Sequence, residues 1–218
     1  MTAERKLALF AWGGWEGHEP KQTVDRLVPV LEAEGYVVQV RPGFDIFLDV
    51  ELMQSADLIV PVHSVDAMTD AQEHGLAEAV AHGAGLAAWH GAATLHENAT
   101  YQLLLGGQFV AHPGGIIDYD VAISRPDDPI TAGIGDFQVH SEQYHMHVDP
   151  SNEVLATTTF SAEHIPWIAG TVMPVVWKRR WGRGKVFYSS LGHVAADFDL
   201  PVIREITRRG MIWATRSG

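Results

Sequence analysis

Residues Gly85–Ala92 read GLAAWHGA, in which small and apolar residues lead up to one histidine, His90, and a glycine follows it. Short apolar runs between glycines are typical of strands buried on both faces, as in a parallel sheet. We therefore predict a strand over Gly85–His90. A titratable ring at the end of such a strand favours a site at the edge of the sheet over a place in the core.

The chain around this segment alternates between strand and helix patterns. Further strands are predicted over Lys6–Trp12, Tyr36–Arg41 and Asp57–His63. Helices are predicted over Pro20–Gly35 and Thr69–Gly83, both with a favourable first residue and a closing glycine. This alternation predicts an α/β protein whose central sheet is mostly parallel and covered by helices.

The second half of the chain is less regular and indicates an antiparallel flank. Its predicted elements are a helix and Gly-rich loop over Ala99–Gly115, strands over Ile116–Ser124 and Val154–Phe160, a hairpin over Pro174–His193 turning at Trp181–Gly184, and a closing helix over Leu200–Thr215. The sequence shows no repeat and no linker. We therefore predict one domain over residues 1–218.

Composition excludes several classes of function. The net charge of -12 argues against nucleic acid and against an anionic membrane surface, since both favour basic proteins. The chain has no cysteine, so it has no thiol nucleophile and no thiolate metal site. Its apolar runs are too short for a signal peptide or a membrane span, which predicts a cytoplasmic protein. No Gly-rich phosphate loop is present, so no nucleotide cofactor is indicated.

Four of the twelve histidines fall at or just after the carboxyl ends of predicted strands: His18, His63, His90 and His193. In an open parallel sheet these ends share one edge, and ligands bind in the crevice there. The sequence therefore predicts that histidines far apart in the chain converge on one pocket. A hydrogen-bonded loop histidine is the alternative for each of them taken alone.

The segment Phe137–Val148 reads FQVHSEQYHMHV and supplies further candidates. If it is extended, His140, Glu142 and Tyr144 share one face, and His145 and His147 share the other. Glu142 with Tyr144 makes a plausible catalytic pair, a carboxylate beside a phenol donor. A salt-bridged surface glutamate and a half-buried tyrosine are the alternative.

Two weaker candidates would contact a substrate. Trp15, in GGWEGHEP, can form an aromatic wall for a sugar ring, although such residues more often cover a core. His112 lies between two Gly-Gly pairs that are expected to form turns.

The sequence resembles the ThuA-like (trehalose utilisation) family. The matching segments, in the family's order from about Lys6 to Trp213, are GHEP, GLAAWHGA, GGQFVAHP, DDPITAGI, SEQYHM and GRGKVFYSSLGH. The family is similar in fold to class I glutamine amidotransferases, which implies a flavodoxin-like three-layer sandwich. Where those enzymes carry a cysteine nucleophile, this chain has His90-Gly91-Ala92, so the resemblance does not imply glutaminase activity.

The resemblance implies a role in sugar catabolism. The family's polar pattern maps onto His18, His63, His90, Glu142, Tyr144 and His193. One position departs from it, because Ser141 stands where the family often has an acidic residue.

The leading hypothesis is an enzyme that acts on an oxidised (3-keto) sugar or glycoside by acid–base chemistry, as an isomerase, lyase or hydrolase. His18, His90, Glu142 and Tyr144 are the catalytic candidates, and Trp15, His63, His112 and His193 are the substrate-binding ones. His18, His90, Glu142 and His193 also form a donor set suited to a divalent ion such as Zn²⁺ or Mn²⁺. The alternatives are a non-catalytic sugar-binding or regulatory domain, and a metal-dependent amide or ester hydrolase. Whether the chain forms a homo-oligomer stays open.

Overall fold

A computed structural model describes residues 5–217, so the ends of the predicted domain over residues 1–218 lie outside the described residues. The strands of the described part are β1 (Leu7–Gly14), β2 (Val37–Pro42), β3 (Leu58–Ser64), β4 (Gly85–Trp89), β5 (Gly107–Ala111), β6 (Ile116–Ile123), β7 (Phe137–Glu142), β8 (His145–Val148), β9 (Glu153–Thr159), β10 (Val172–Trp181) and β11 (Gly184–Ser189). The helices are α1 (Pro20–Ala33), α2 (Val50–Ser55), α3 (Asp70–Ala81), α4 (Ala99–Leu105) and α5 (Pro201–Ala214).

Nine strands form one sheet in the order β2-β1-β3-β4-β11-β10-β9-β6-β7. The pairs from β2 to β11 are parallel, because helices cross over between β1 and β2 and between β3 and β4. The pairs from β11 to β7 are antiparallel. The mixed α/β class is therefore confirmed, with an antiparallel flank as wide as the parallel part. The finer description as a flavodoxin-like three-layer sandwich stays a prediction.

Both faces of the parallel half are buried. Alternate residues of β1 belong to two separate core clusters, since Ala8 and Phe10 pack in one and Leu9 and Ala11 in the other. Helices α1 and α5 complete the first cluster, and α2, α3 and α4 complete the second. This explains why the strands of this half read as continuous apolar runs.

The parallel strands end nearly level at one edge of the sheet. Gly14 at the end of β1 pairs with Ser64 at the end of β3, and Trp89 at the end of β4 pairs with Ser189 at the end of β11. The loops that follow β1, β4 and β11 therefore leave the sheet side by side, and they carry the histidines of the predicted site.

Two predictions of local structure were wrong. The predicted strand Gly85–His90 stops at Trp89, because His90 has a φ of 42° and begins a 3₁₀ turn, His90–Thr94. The predicted loop after α4 contains strand β5, because Gly106 ends the helix in a left-handed conformation and the chain then extends to pair with β8.

The segment Phe137–Val148 does not meet the condition considered in the sequence analysis, because it is not one extended strand. It divides into β7, which pairs with β6, and β8, which pairs with β5 in a separate two-stranded sheet. The alternation of side chains is therefore interrupted between Glu142 and His145.

None of the helices in residues 5–217 combines the length and the apolar character that crossing a bilayer requires.

Helix α5 approaches β11 closely, because Gly210 lies directly against the ring of the fully buried Phe187. We expect Gly210→Ala to lower the free energy of unfolding by about 1–3 kcal/mol, because the added methyl overlaps that ring. Helix propensity alone predicts the opposite sign, a gain of about 1 kcal/mol. Urea denaturation followed by circular dichroism measures the change.

The double variant Gly210→Ala/Phe187→Leu is the control for this contact. The smaller side chain at residue 187 makes room for the methyl. The loss of unfolding free energy in the double variant should therefore be smaller than the sum of the losses in the two single variants. A Gly210→Ala protein that is more stable than the wild type would contradict the close approach.

Candidate functional site

Four side chains from distant parts of the chain meet at the edge where the parallel strands end. His18, His90, Glu142 and His193, here called the histidine–glutamate cluster, each place one potential ligand atom so that all four atoms lie within 4.8 Å of one another. His90, Glu142 and His193 are buried, and His18 is partly buried. The four residues that the sequence proposed as metal ligands are thus brought together.

Each member of the cluster reaches its place through a specific backbone feature. His18 ends a 3₁₀ turn after β1, and Glu19 then takes a left-handed conformation so that Pro20 can begin α1. His90 also has a positive φ, a conformation that costs free energy for a residue with a side chain. The Tyr188 hydroxyl holds that turn by donating to the His90 carbonyl at 2.8 Å.

Glu142 comes from the other half of the sheet. It is the last residue of β7, and the Tyr119 hydroxyl donates to its carbonyl at 3.2 Å. Its neighbour Gln143 turns away and donates to the Thr158 hydroxyl at 2.7 Å. These contacts direct the carboxylate of Glu142 across the sheet edge towards the histidines.

The hydrogen bonds of His90 determine which of its nitrogens carries the proton. Its Nδ1 lies 2.9 Å from the carbonyl oxygen of Ser190, which can only accept, so Nδ1–H donates. Nε2 of the neutral ring then presents a lone pair. Nε2 of His90 lies 3.1 Å from Oε2 of Glu142 and 3.0 Å from Nδ1 of His193.

The cluster shifts the pKa values of its members in different directions. Burial lowers the pKa of His90, and burial together with the nearby His90 and His193 lowers that of His18 to about 3. Burial also opposes charge on Glu142 and His193, but their mutual contact outweighs it, lowering the pKa of Glu142 and raising that of His193. The proton on Nδ1 of His193 therefore lies between two atoms with lone pairs, Nε2 of His90 and Oε2 of Glu142, the latter 3.3 Å away.

Tyr144 and His112 border the cluster. The Tyr144 ring packs 4.2 Å from the His90 ring, and burial, with Tyr188 and Glu142 adding to it, raises the pKa of Tyr144 well above its usual value. Nε2 of His112 lies 3.8 Å from Oε1 of Glu142, and the side chain of His112 is 40% exposed. The phenol is thus a protonated donor, and His112 faces both the cluster and solvent.

Trp15 lies at the open side of the site. Its ring is edge-on to the His18 ring at 4.7 Å, and the residue is 52% exposed. An exposed aromatic ring beside the cluster is compatible with the predicted contact to a sugar.

His63 is not brought to the cluster. Its neighbour Val62 packs in the core cluster shared with α1, so the His63 side chain points to the opposite face of β3. There it stacks on Phe44 at 3.7 Å, and its Nδ1 lies 3.3 Å from Asp66. Burial lowers the pKa of His63 to about 4.

The remaining histidines of the Phe137–Val148 segment also lie elsewhere. His140 is exposed and pairs with Asp118 at 2.9 Å, His145 packs against Phe160, and His147 is exposed. The break after Glu142 separates them from the site, so His140 does not share a face with Tyr144, as it would in one extended strand.

Several residues that support the site were not foreseen. Asp197 accepts hydrogen bonds from the backbone N–H of His193 at 2.9 Å and from the Ser141 hydroxyl at 3.0 Å. A carboxylate therefore lies beside Ser141, where the resemblance expects an acidic residue, but a different segment supplies it. Tyr188 and Ser190 lie within the motif GRGKVFYSSLGH, whose polar residues were the available signal.

Solved structures share this fold. A ThuA-like protein from Bacteroides uniformis superposes with a TM-score of 0.79 at 18% identity, covering 98% of this chain and 93% of its own. A ThuA-like protein from Parabacteroides merdae has a TM-score of 0.77 at 16% identity, with 97% and 90% covered. A β-galactosidase from Bacillus circulans sp. alkalophilus has a TM-score of 0.60 at 13% identity, and the match covers 96% of this chain but 30% of that one.

A comparison with curated proteins found no match. The family model of ThuA, described as trehalose utilisation, matches residues 7–214, which is nearly the whole described chain and includes every member of the histidine–glutamate cluster. The chain therefore belongs to the ThuA family.

Proposed function

We propose that this protein is an enzyme of sugar catabolism that removes a proton next to the ketone of an oxidised (3-keto) sugar or glycoside, with a divalent cation held by the histidine–glutamate cluster. The observation that carries the proposal is the convergence of three imidazoles and one carboxylate, with ligand atoms within 4.8 Å, beside a protonated phenol. The family description supports a sugar as the substrate class.

The donor set fits a divalent cation. Nitrogen and carboxylate ligands suit Zn²⁺ and Mn²⁺, and the Nδ1–H of His90 donates to a backbone carbonyl as the outer nitrogen of a metal-bound histidine usually does. Nε2 of His90 and Oε2 of Glu142 are both acceptors at 3.1 Å, an arrangement that either the proton on Nδ1 of His193 or a bound cation satisfies. When bound, a divalent cation would supply a Lewis acid that polarises the ketone of the substrate.

We assign Glu142 to binding the cation and not to removing the proton. Its pKa lies below its usual range because of the contacts with His193 and His90, and a carboxylate that holds its charge so firmly is a weak base. The base is therefore sought among the side chains that border the cluster.

His112 is assigned as that base. It is the histidine beside Glu142 that stands outside the cluster, and its partly exposed ring can contact a bound sugar. The C–H between the ketone and the anomeric carbon is acidic, so its proton passes to Nε2 or Nδ1 of His112 and its electron pair moves to the ketone oxygen as an enediolate.

We assign Tyr144 to donate a hydrogen bond to the oxygen of that enediolate. Its raised pKa keeps the phenol protonated, and a preorganised donor in a buried site stabilises developing negative charge. From the enediolate, return of the proton to the other face or to the neighbouring carbon gives an epimer or isomer. In elimination the ketone re-forms, a double bond forms to the anomeric carbon, and the glycosidic C–O bond breaks. The leaving oxygen keeps the electron pair of that bond and takes the proton from His112, which releases the aglycone.

The partial match to a β-galactosidase favours a second candidate, a non-catalytic sugar-binding or regulatory domain. The same fold forms about a third of that longer chain, so the fold also occurs as one part of a larger glycoside hydrolase. In this case the chain would bind sugars without converting them.

The test of the proposed reaction is incubation with 3-keto disaccharides and their unoxidised parents in D₂O, after loading with Zn²⁺ or Mn²⁺, followed by NMR. We expect deuterium next to the ketone of the oxidised sugars and none in the parents. Release of product without deuterium would indicate a hydrolase instead. Binding without any product would favour the non-catalytic domain.

Cation binding is measured by titration calorimetry of chelator-treated protein. We expect one ion per chain, and His90→Ala or Glu142→Gln should weaken binding by about 100-fold or more, because loss of a ligand exceeds the 10–100-fold cost of losing an outer partner. His140→Ala is the matched control, since this exposed histidine lies outside the cluster. Equal affinities in all four proteins would contradict the cation site.

The assigned roles predict different defects for the two neighbouring side chains. His112→Ala should slow deuterium incorporation by about 10²–10⁴-fold, the usual contribution of a general base. Tyr144→Phe should slow it by about 10²–10³-fold, the usual cost of one oxyanion donor.

Both variants should keep the cation affinity of the wild type within a few-fold, which separates proton transfer from metal loss. His147→Ala, at an exposed histidine, is the control. Incorporation at the wild-type rate in His112→Ala would show that another group is the base.

A further inference from the structure

Two buried polar atoms beside the cluster have no hydrogen-bond partner among the described residues, Nδ1 of His18 and Oγ of Ser64. Both lie against Gly91, because a Cβ placed there would be 2.6 Å from Nδ1 of His18 and 2.5 Å from Cβ of Ser64. The absence of a side chain at residue 91 thus lets the imidazole and the serine approach each other. Ser64 itself is 2% exposed.

A small cavity adjoins the same residues. It is lined by His18, His63, Ser64, His90 and Gly91, among others, and its volume of about 20 Å³ is sufficient for one water molecule. Buried polar groups are nearly always hydrogen-bonded to protein or to ordered water. A water in this cavity would link Nδ1 of His18 to the hydroxyl of Ser64, which rotates freely and can accept.

Ser64 already determines where His18 lies. Its carbonyl accepts the backbone N–H of Trp15 at 3.0 Å, and this bond anchors the turn that carries His18. A hydroxyl on the same residue is therefore well placed to orient the imidazole at the other end of that turn.

We propose that Ser64 is a positioning residue for His18: one water in the cavity accepts the Nδ1–H of His18 and is held by Oγ of Ser64, which keeps the lone pair of His18 on Nε2. Ser190 does the same for His90, where the carbonyl accepts Nδ1–H at 2.9 Å. Two histidines of the cluster would thus be fixed in the same tautomer by residues at the carboxyl ends of two parallel strands, β3 and β11, on either side of β4. This inference rests on the proposed function, because the lone pair is needed for a cation.

The direct test reads the tautomer of His18 in the cation-free protein by ¹⁵N–¹H correlation NMR at pH 8, with His18→Gln used to assign the signal. In the wild type we expect the proton on Nδ1. In Ser64→Ala we expect a mixture of tautomers, and in Ser64→Thr, which keeps a hydroxyl, a return to Nδ1–H. Ser189→Ala is the matched control, since this buried hydroxyl lies at the end of β11 and contacts the backbone N–H of Leu191.

The second measurement is cation affinity by competition with a chelator, together with the visible spectrum of the Co²⁺-loaded protein. Ser64→Ala should raise Kd for Zn²⁺ by about 10–100-fold, the usual cost of losing an outer partner, and should alter the Co²⁺ bands. Ser64→Thr and Ser189→Ala should stay near the wild type in both.

The outcomes separate the two proposals. A wild-type His18 with its proton on Nε2, or a tautomer that Ser64→Ala leaves unchanged, would overturn the role of Ser64 whether or not a cation binds. A tautomer that shifts as expected in a protein without affinity for Zn²⁺, Mn²⁺ or Co²⁺ would support the contact with Ser64 and overturn the cation site.

Discussion

The carboxylate of Glu142 connects the two halves of the sheet at the site. It lies at the end of β7, the outermost strand of the antiparallel half, yet its Oε2 is 3.1 Å from Nε2 of His90 at the end of β4 in the parallel half. This contact between a charged group and a buried ring requires positive charge nearby, and His193 supplies it through its Nδ1 at 3.3 Å. The positions of the other groups at the site follow from this arrangement.

Buried polar groups at such a site need partners beyond the cluster. His90 has the carbonyl of Ser190, and the backbone of His193 has Asp197. Asp197 also bonds Ser141, so the antiparallel strand β7 is tied to the segment that follows β11. These bonds hold the ends of separate strands in one rigid frame, which is the condition for convergent side chains to act together.

The local surroundings of each side chain at the site give it a different chemical role. A carboxylate with a lowered pKa is suited to holding charge, a buried phenol with a raised pKa to donating a hydrogen bond, and a half-exposed histidine to exchanging protons with a substrate. One pocket can provide both an acid and a base when its environments shift the pKa values of different groups in opposite directions. In this protein Glu142 and Tyr144 occupy two such environments within one site.

The sequence by itself determined the α/β class, most elements and the three histidines of the cluster, because apolar periodicity and the position of a histidine after a strand are local signals. Glu142 was grouped with them through the family resemblance, because its strand gives no such signal. It did not determine that His63 faces away, since this depends on which face of β3 the core of α1 covers. Nor did it reveal the break after Glu142, which arises because β7 and β8 pair with strands in different sheets. Only the tertiary structure decided which polar atoms face each other, because those distances are set by how strands from distant parts of the chain end together at one edge.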